Sequence, residues 1–117
     1  MEFKIDKLDN FVLIKVLKEK LDTTMAPSLK SELVLLSGNN EKNILLDLSK
    51  CTYCDSSGLS AILVANRLCK NADGVLILSG LQPAVERLIS VSQLDTVLSI
   101  APTLDDGTEM MRKAIKV

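Results

Sequence analysis

The chemistry most open to this chain lies in Asp55-Ser56-Ser57-Gly58, where two hydroxyls that can accept a transferred group stand at a loop-to-helix turn. A hydroxyl in such a place has two uses. Asp55, Ser56 or Ser57 can cap the orphan N–H groups of the helix, while Gly58 permits close packing. Ser56 can also face outward as an acceptor for another protein's kinase. A phosphate adds about −1.5 to −2 charges, and at the positive end of a helix the folded chain tolerates them. A partner shaped around the neutral serine would then meet a bulky dianion beside Asp55 and be expelled by like-charge repulsion and desolvation. Capping and signalling are compatible, and spacing leaves both open.

Other residue types narrow the chemistry. The chain has no histidine, which removes Ser-His-Asp and Cys-His mechanisms, an imidazole base near neutrality and the commonest zinc ligand. Cys51-x-x-Cys54 has the spacing of a thiol redox pair, but that chemistry needs a thiolate favoured by a helix N-terminus. The helix is expected to begin beyond both cysteines, so two small apolar loop residues are the favoured assignment. With Cys69 on the inward face of a helix, no metal site is expected. The five glycines form no phosphate-binding loop or dinucleotide fingerprint, so no cofactor is expected either. Without a base or triad, a small hydrolase or redox enzyme built on Ser56 or the cysteines is disfavoured, and no residue is assigned a catalytic role.

A length of 117 residues, 47% hydrophobic and 25% charged, fits one globular domain over residues 1–117. The formal charge of −1 offers no broad field for nucleic acid or an anionic membrane. No run approaches the roughly 20 apolar residues that cross a bilayer. An odd cysteine count and the charged opening Met1 to Lys7, which lacks an apolar leader, point to reduced thiols in the cytoplasm. The Lys15, Lys18 and Lys20 group is balanced by Glu19 and Asp22 and is assigned no role.

These residues need elements to position them. Phe3-Lys4-Ile5, a turn at Asp9-Asn10 and the run Phe11 to Leu17 read as an N-terminal hairpin. Asp22-Thr23-Thr24 offers caps for a helix carrying Ala26, Leu29, Leu33 and Leu36 on one stripe, with Pro27 early and Gly38 closing it. Ile44 to Leu48 and Val75 to Leu78 are short apolar runs typical of strands covered on both faces. A helix from about Ser57 to Asn71 separates them. Pro83 opens a third helix with Val85, Leu88 and Ile89 inward, and Val97 to Ile100 forms a brief strand. A last helix starts at Thr103, whose hydroxyl can cap it while Asp105 and Asp106 complement the dipole; Met110, Met111, Ala114 and Ile115 are expected to pack. The predicted architecture is α/β: a mixed sheet of about five strands, an N-terminal hairpin followed by parallel βαβ units, with about four α-helices. Loops at the carboxyl ends of the parallel strands form the expected functional edge, and Cys51 to Gly58 lies there.

Rotation of about 100° per residue puts Ser60, Asn66, Arg67 and Lys70 on one side of the second helix. Ala61, Ile62, Val64, Ala65, Leu68 and Cys69 fall opposite, toward the sheet. Leu59 and Leu63 lie among the polar residues, where they serve either as an interface centre with a polar rim or as the margin of a wide core stripe.

The chain resembles the STAS domains, specifically bacterial anti-sigma factor antagonists. The resemblance rests on Leu46-Asp47-Leu48-Ser49, Asp55-Ser56-Ser57-Gly58-Leu59, Leu21-Asp22 and Ala84-Val85-Glu86-Arg87-Leu88-Ile89. It implies that Ser56 is phosphorylated by a partner that is both anti-sigma factor and serine kinase, and that a serine phosphatase restores it. It further implies a partner switch in which the unphosphorylated antagonist binds the kinase and frees a sigma factor. Asp55, Ser57 and Gly58 would then shape the phosphosite loop, and Asp22, Thr23, Leu59, Leu63, Asn66 and Arg67 would contact the partner. Two departures, Ser60 in place of a common glycine and Glu19-Lys20 in place of a Gly-containing approach, bear on the docking surface. The alternative function is a constitutive STAS scaffold or regulatory subunit, for example of a lipid-transport or signalling assembly, in which the same loop docks without phosphorylation. The sequence assigns no oligomeric state.

Overall fold

The computed structural model describes residues 2–115. Strand β1 (Phe3–Lys7) pairs antiparallel with β2 (Val12–Val16), Phe3 opposite Val16 and Lys7 opposite Val12, which is the expected hairpin. A two-residue strand, β3 (Lys20–Leu21), precedes helix α1 (Ala26–Gly38). Next come β4 (Asn43–Asp47), a second short strand β5 (Tyr53–Cys54), α2 (Ser56–Asn71), β6 (Val75–Ser79), α3 (Pro83–Val91), β7 (Ser99–Ala101) and α4 (Leu104–Ile115). The main sheet has five strands in the order β1-β2-β4-β6-β7, parallel from β2 onward, and β3 pairs with β5 in a parallel two-stranded ladder beside it.

Alternation along the central strands separates two cores. Val12, Ile14, Val16, Ile44, Leu46, Leu76 and Leu78 face one side and meet Met25, Leu29 and Leu33 at α1, Ala61, Ile62 and Ala65 of α2, and Val85 and Ile89 of α3. Leu13, Leu45 and Ile77 face the other side and meet Met111 of α4. Right-handed crossovers that step in one direction across a sheet deliver their helices to the same face. The three crossover helices obey this, and α4, which follows the last strand, covers the opposite face. Leu29, Leu33, Leu45, Leu46 and Ile62 are fully buried, and each such side chain stabilises the fold by about 1.5–3 kcal/mol relative to exposure.

Several local expectations are corrected. Asp22-Thr23-Thr24 does not cap α1: the cap position is Met25, with no side-chain hydrogen bond, and the Asp22 Oδ1 accepts from Thr24 N at 3.0 Å and Thr24 Oγ1 at 2.6 Å. That local turn occupies the carboxylate before the helix begins. The final strand covers Ser99–Ala101, because a 3₁₀ turn at Leu94–Thr96 delays it. Met110 and Ala114 point outward while Met111 and Ile115 pack, since α4 rests on the sheet along a narrow stripe. Thr103 caps as expected, with Asp106 N donating to its Oγ1 at 3.1 Å.

Candidate functional site

The site begins at the carboxyl end of β4. Asp47 is buried there, and its two carboxylate oxygens accept hydrogen bonds from Ser79 Oγ (2.9 Å) and Ser49 Oγ (2.7 Å). Gly80 follows with φ +68, and a Cβ on it would stand 2.9 Å from Ser49 Cβ and 3.1 Å from the Asp47 Oδ1, so both conformation and space call for glycine. The Gln82 Nε2 donates to Ser49 O at 2.6 Å and ties the start of α3 to the same corner. Hydroxyl partners on β6 and in the loop thus hold a buried carboxylate and fix the base from which the loop leading to Ser56 departs.

Backbone pairing then carries the loop past β3. Thr52 N donates to Glu19 O at 2.8 Å, Lys20 and Leu21 pair with Tyr53 and Cys54, and Asp55 N donates to Leu21 O at 3.3 Å. Asp55 sits in extended conformation as the N-cap of α2, its Oδ1 accepting from Ser57 N (2.9 Å) and Gly58 N (3.1 Å). A Cβ on Gly58 would lie 2.2 Å from Leu21 O and 2.8 Å from both Leu21 Cγ and Cys54 Sγ. Capping therefore belongs to Asp55 and close packing to Gly58. Ser56, the first helical residue, is exposed, and among the described residues its hydroxyl makes no hydrogen bond.

Ser56, Ser57 and Ser60 form one wall of a shallow depression whose other wall comes from Thr23, Ala26, Pro27 and Lys30 at the start of α1. Thr23 is therefore brought beside Ser56. Asp22 lines the neighbouring depression with Lys18, Glu19, Lys20 and Thr24 instead, and hydrogen bonding from the Thr24 hydroxyl holds its carboxyl below the usual range. Asn66 and Arg67 lie on the same helix, but Asn66 is ten residues, or about 15 Å, beyond Ser56. Arg67 is exposed and Asn66 half-buried, as is Leu63. Leu59 is half-buried and packs against the larger core, the core-margin alternative, because the first turn of α2 is drawn in under β3. Lys30 is the residue that sequence reasoning missed. No spacing rule links it to Ser56; only the packing of α1 on α2 brings them to one surface.

The cysteines have the surroundings of packing residues. Cys51 is buried with its Sγ donating to Tyr53 O at 3.0 Å, and burial raises its pKa. Burial, then the charges of Cys51 and Asp55, push the Cys54 thiol up to about 12. Burial pushes Cys69, at the far end of α2, up to about 11. A redox or nucleophilic thiol needs the opposite shift.

A match to the STAS domain family spans residues 2–107, and the chain belongs to that family. It is 25% identical, over 98% of each chain, to BtrV of Bordetella bronchiseptica, a protein named as a candidate anti-sigma factor antagonist. The fold is shared with a Thermotoga maritima protein described in the same terms, at 25% identity and a TM-score of 0.80 over 94% of each chain. It is also shared with the Bacillus cell-fate determinant SpoIIAA in its phosphorylated form, at 19% identity and a TM-score of 0.75 over 94% of this chain and 99% of that one.

Proposed function

We propose that this protein is an anti-sigma factor antagonist, a non-enzymatic cytoplasmic module whose partner choice is set by phosphorylation of Ser56. The observation that carries the proposal is the division of labour at the start of α2. Asp55 and Gly58 satisfy the local structure, and Ser56 is left exposed with its backbone fixed. In the proposed step, the Ser56 Oγ forms a bond to the γ-phosphorus of ATP, the bond to the departing ADP breaks, and the hydroxyl proton is released. A partner that is both anti-sigma factor and serine kinase supplies the catalytic groups, and a serine phosphatase reverses the modification. Unphosphorylated protein binds that partner through the surface around Thr23 and Ser56 and along α2 past Leu63, with Asp22, Asn66 and Arg67 at its margins. The phosphorylated form lets go because the contact would bury a dianion.

Incubation with an anti-sigma serine kinase of the same organism and ATP should add one phosphate, mapped to Ser56 by peptide mass. Ser56→Asp should abolish or sharply weaken capture of that kinase. Full capture by Ser56→Asp, with no phosphate on wild type despite an active kinase, would support the constitutive scaffold instead.

A further inference from the structure

The depression beside Ser56 carries one charged lining residue, Lys30, a half-buried side chain of α1 that takes part in neither ion pair formed among the described residues. The two carboxylates that flank the depression in sequence are already engaged, and Glu19 lines the neighbouring depression. Asp55, the cap of α2, accepts from Ser57 N and Gly58 N, and Asp22, on the segment before α1, accepts from Thr24. Because Asp55 occupies those N–H groups, the helix end has fewer donors left for a phosphate on Ser56, and charge balance has to come from across the depression. We infer that Lys30 is the counter-ion of phosphorylated Ser56, an assignment that rests on the proposed phosphorylation and adds a second residue to the switch.

The consequence is a change of sign. With neutral Ser56 the lining bears the single positive charge of Lys30, and a docking partner would meet a cation. Addition of about −1.5 to −2 charges turns the same lining negative and draws the ammonium onto the phosphate, so one modification both adds an anion and withdraws a cation from the contact surface. A lysine is suited to this, being a compact charge on a flexible stem that reaches a phosphate without fixed geometry.

The test uses the full chain with phosphoserine installed at position 56 by genetic encoding, so that it does not depend on any kinase. The phosphorus-31 resonance is titrated from about pH 4 to about pH 8, across the second ionisation of phosphoserine near 6. A neighbouring cation favours the dianion, so Lys30→Gln should raise the midpoint by about half a pH unit while Lys30→Arg leaves it near wild type. Lys20→Gln, which removes a cation lining the adjacent depression, should move it much less. Unphosphorylated Lys30→Gln should melt as wild type does. A Lys30→Gln titration that superimposes on wild type, or a Lys20→Gln change of equal size, overturns the assignment. Failure of a kinase to modify Ser56 would count against the proposed function alone.

Discussion

Cys54 stands one residue ahead of the cap of α2, a position where helix N-termini often lower a thiol's pKa. Here the local environment wins over the dipole. Desolvation, then the charges of Cys51 and Asp55, push it from 9.0 to about 12, and Cys51 and Cys69 are raised too. The expected outcome is that iodoacetamide near pH 7.5, about a unit or more below even an ordinary thiol pKa, leaves all three thiols of the native protein unmodified while the denatured chain reacts fully. A fast native thiol would revive redox chemistry at Cys51-x-x-Cys54. The sign of the linkage follows from the direction. The folded state holds its proton above the unfolded value, so the contribution of Cys54 to stability is complete below about pH 9 and is lost as pH rises toward about 12. Alkaline unfolding curves should therefore shift to higher pH for Cys54→Ala.

Between elements, the approach of α2 to β3 is the tightest constraint on the site. Glycine to alanine inside a helix ordinarily stabilises by about 1 kcal/mol. At Gly58 the added Cβ would meet the Leu21 carbonyl oxygen at 2.2 Å, and a backbone atom paired in a ladder cannot swing aside. Gly58→Ala should therefore lower stability by about 1–3 kcal/mol, read as a lower urea midpoint at unchanged slope. A raised midpoint would show that β3 is loosely held. The same pair of elements marks the limit of what sequence conveys. The apolar runs of β2, β4 and β6 and the Thr103 cap were legible because burial on both faces and capping chemistry leave local patterns. Strands β3 and β5 were not, since two residues carry no periodicity, and their pairing depends on chain folded elsewhere. For the same reason the proposed acceptor Ser56 stands in a local sequence context that suggests it, whereas nothing local ties Lys30 to the same surface.

At the level of the whole molecule, one face of α2 has to serve both the core and the surface. Leu59 packs on the larger core and Leu63, one turn on, does not join that contact set. Leu59→Lys should lower stability by about 1–3 kcal/mol. Leu63→Lys should cost under about 1 kcal/mol, because a lysine stem can lie over the same surface with its ammonium in water, yet it should impair capture of the anti-sigma partner. Thermal melting and partner binding measured on both variants check the distinction, and equal destabilisation would make Leu63 a core residue.

The direction of β1 has a practical corollary. Because it runs antiparallel to β2 with Phe3 opposite Val16, Glu2 lies close to Lys18, Asp22 and Thr24, on the rim next to the depression that Ser56 lines. Ile115 lies at the other pole, against Leu8, Asn10 and Phe11 of the hairpin turn. A fluorophore or affinity handle attached to the side chain of Glu2 would crowd incoming proteins, whereas one on Ile115 would leave the approach clear.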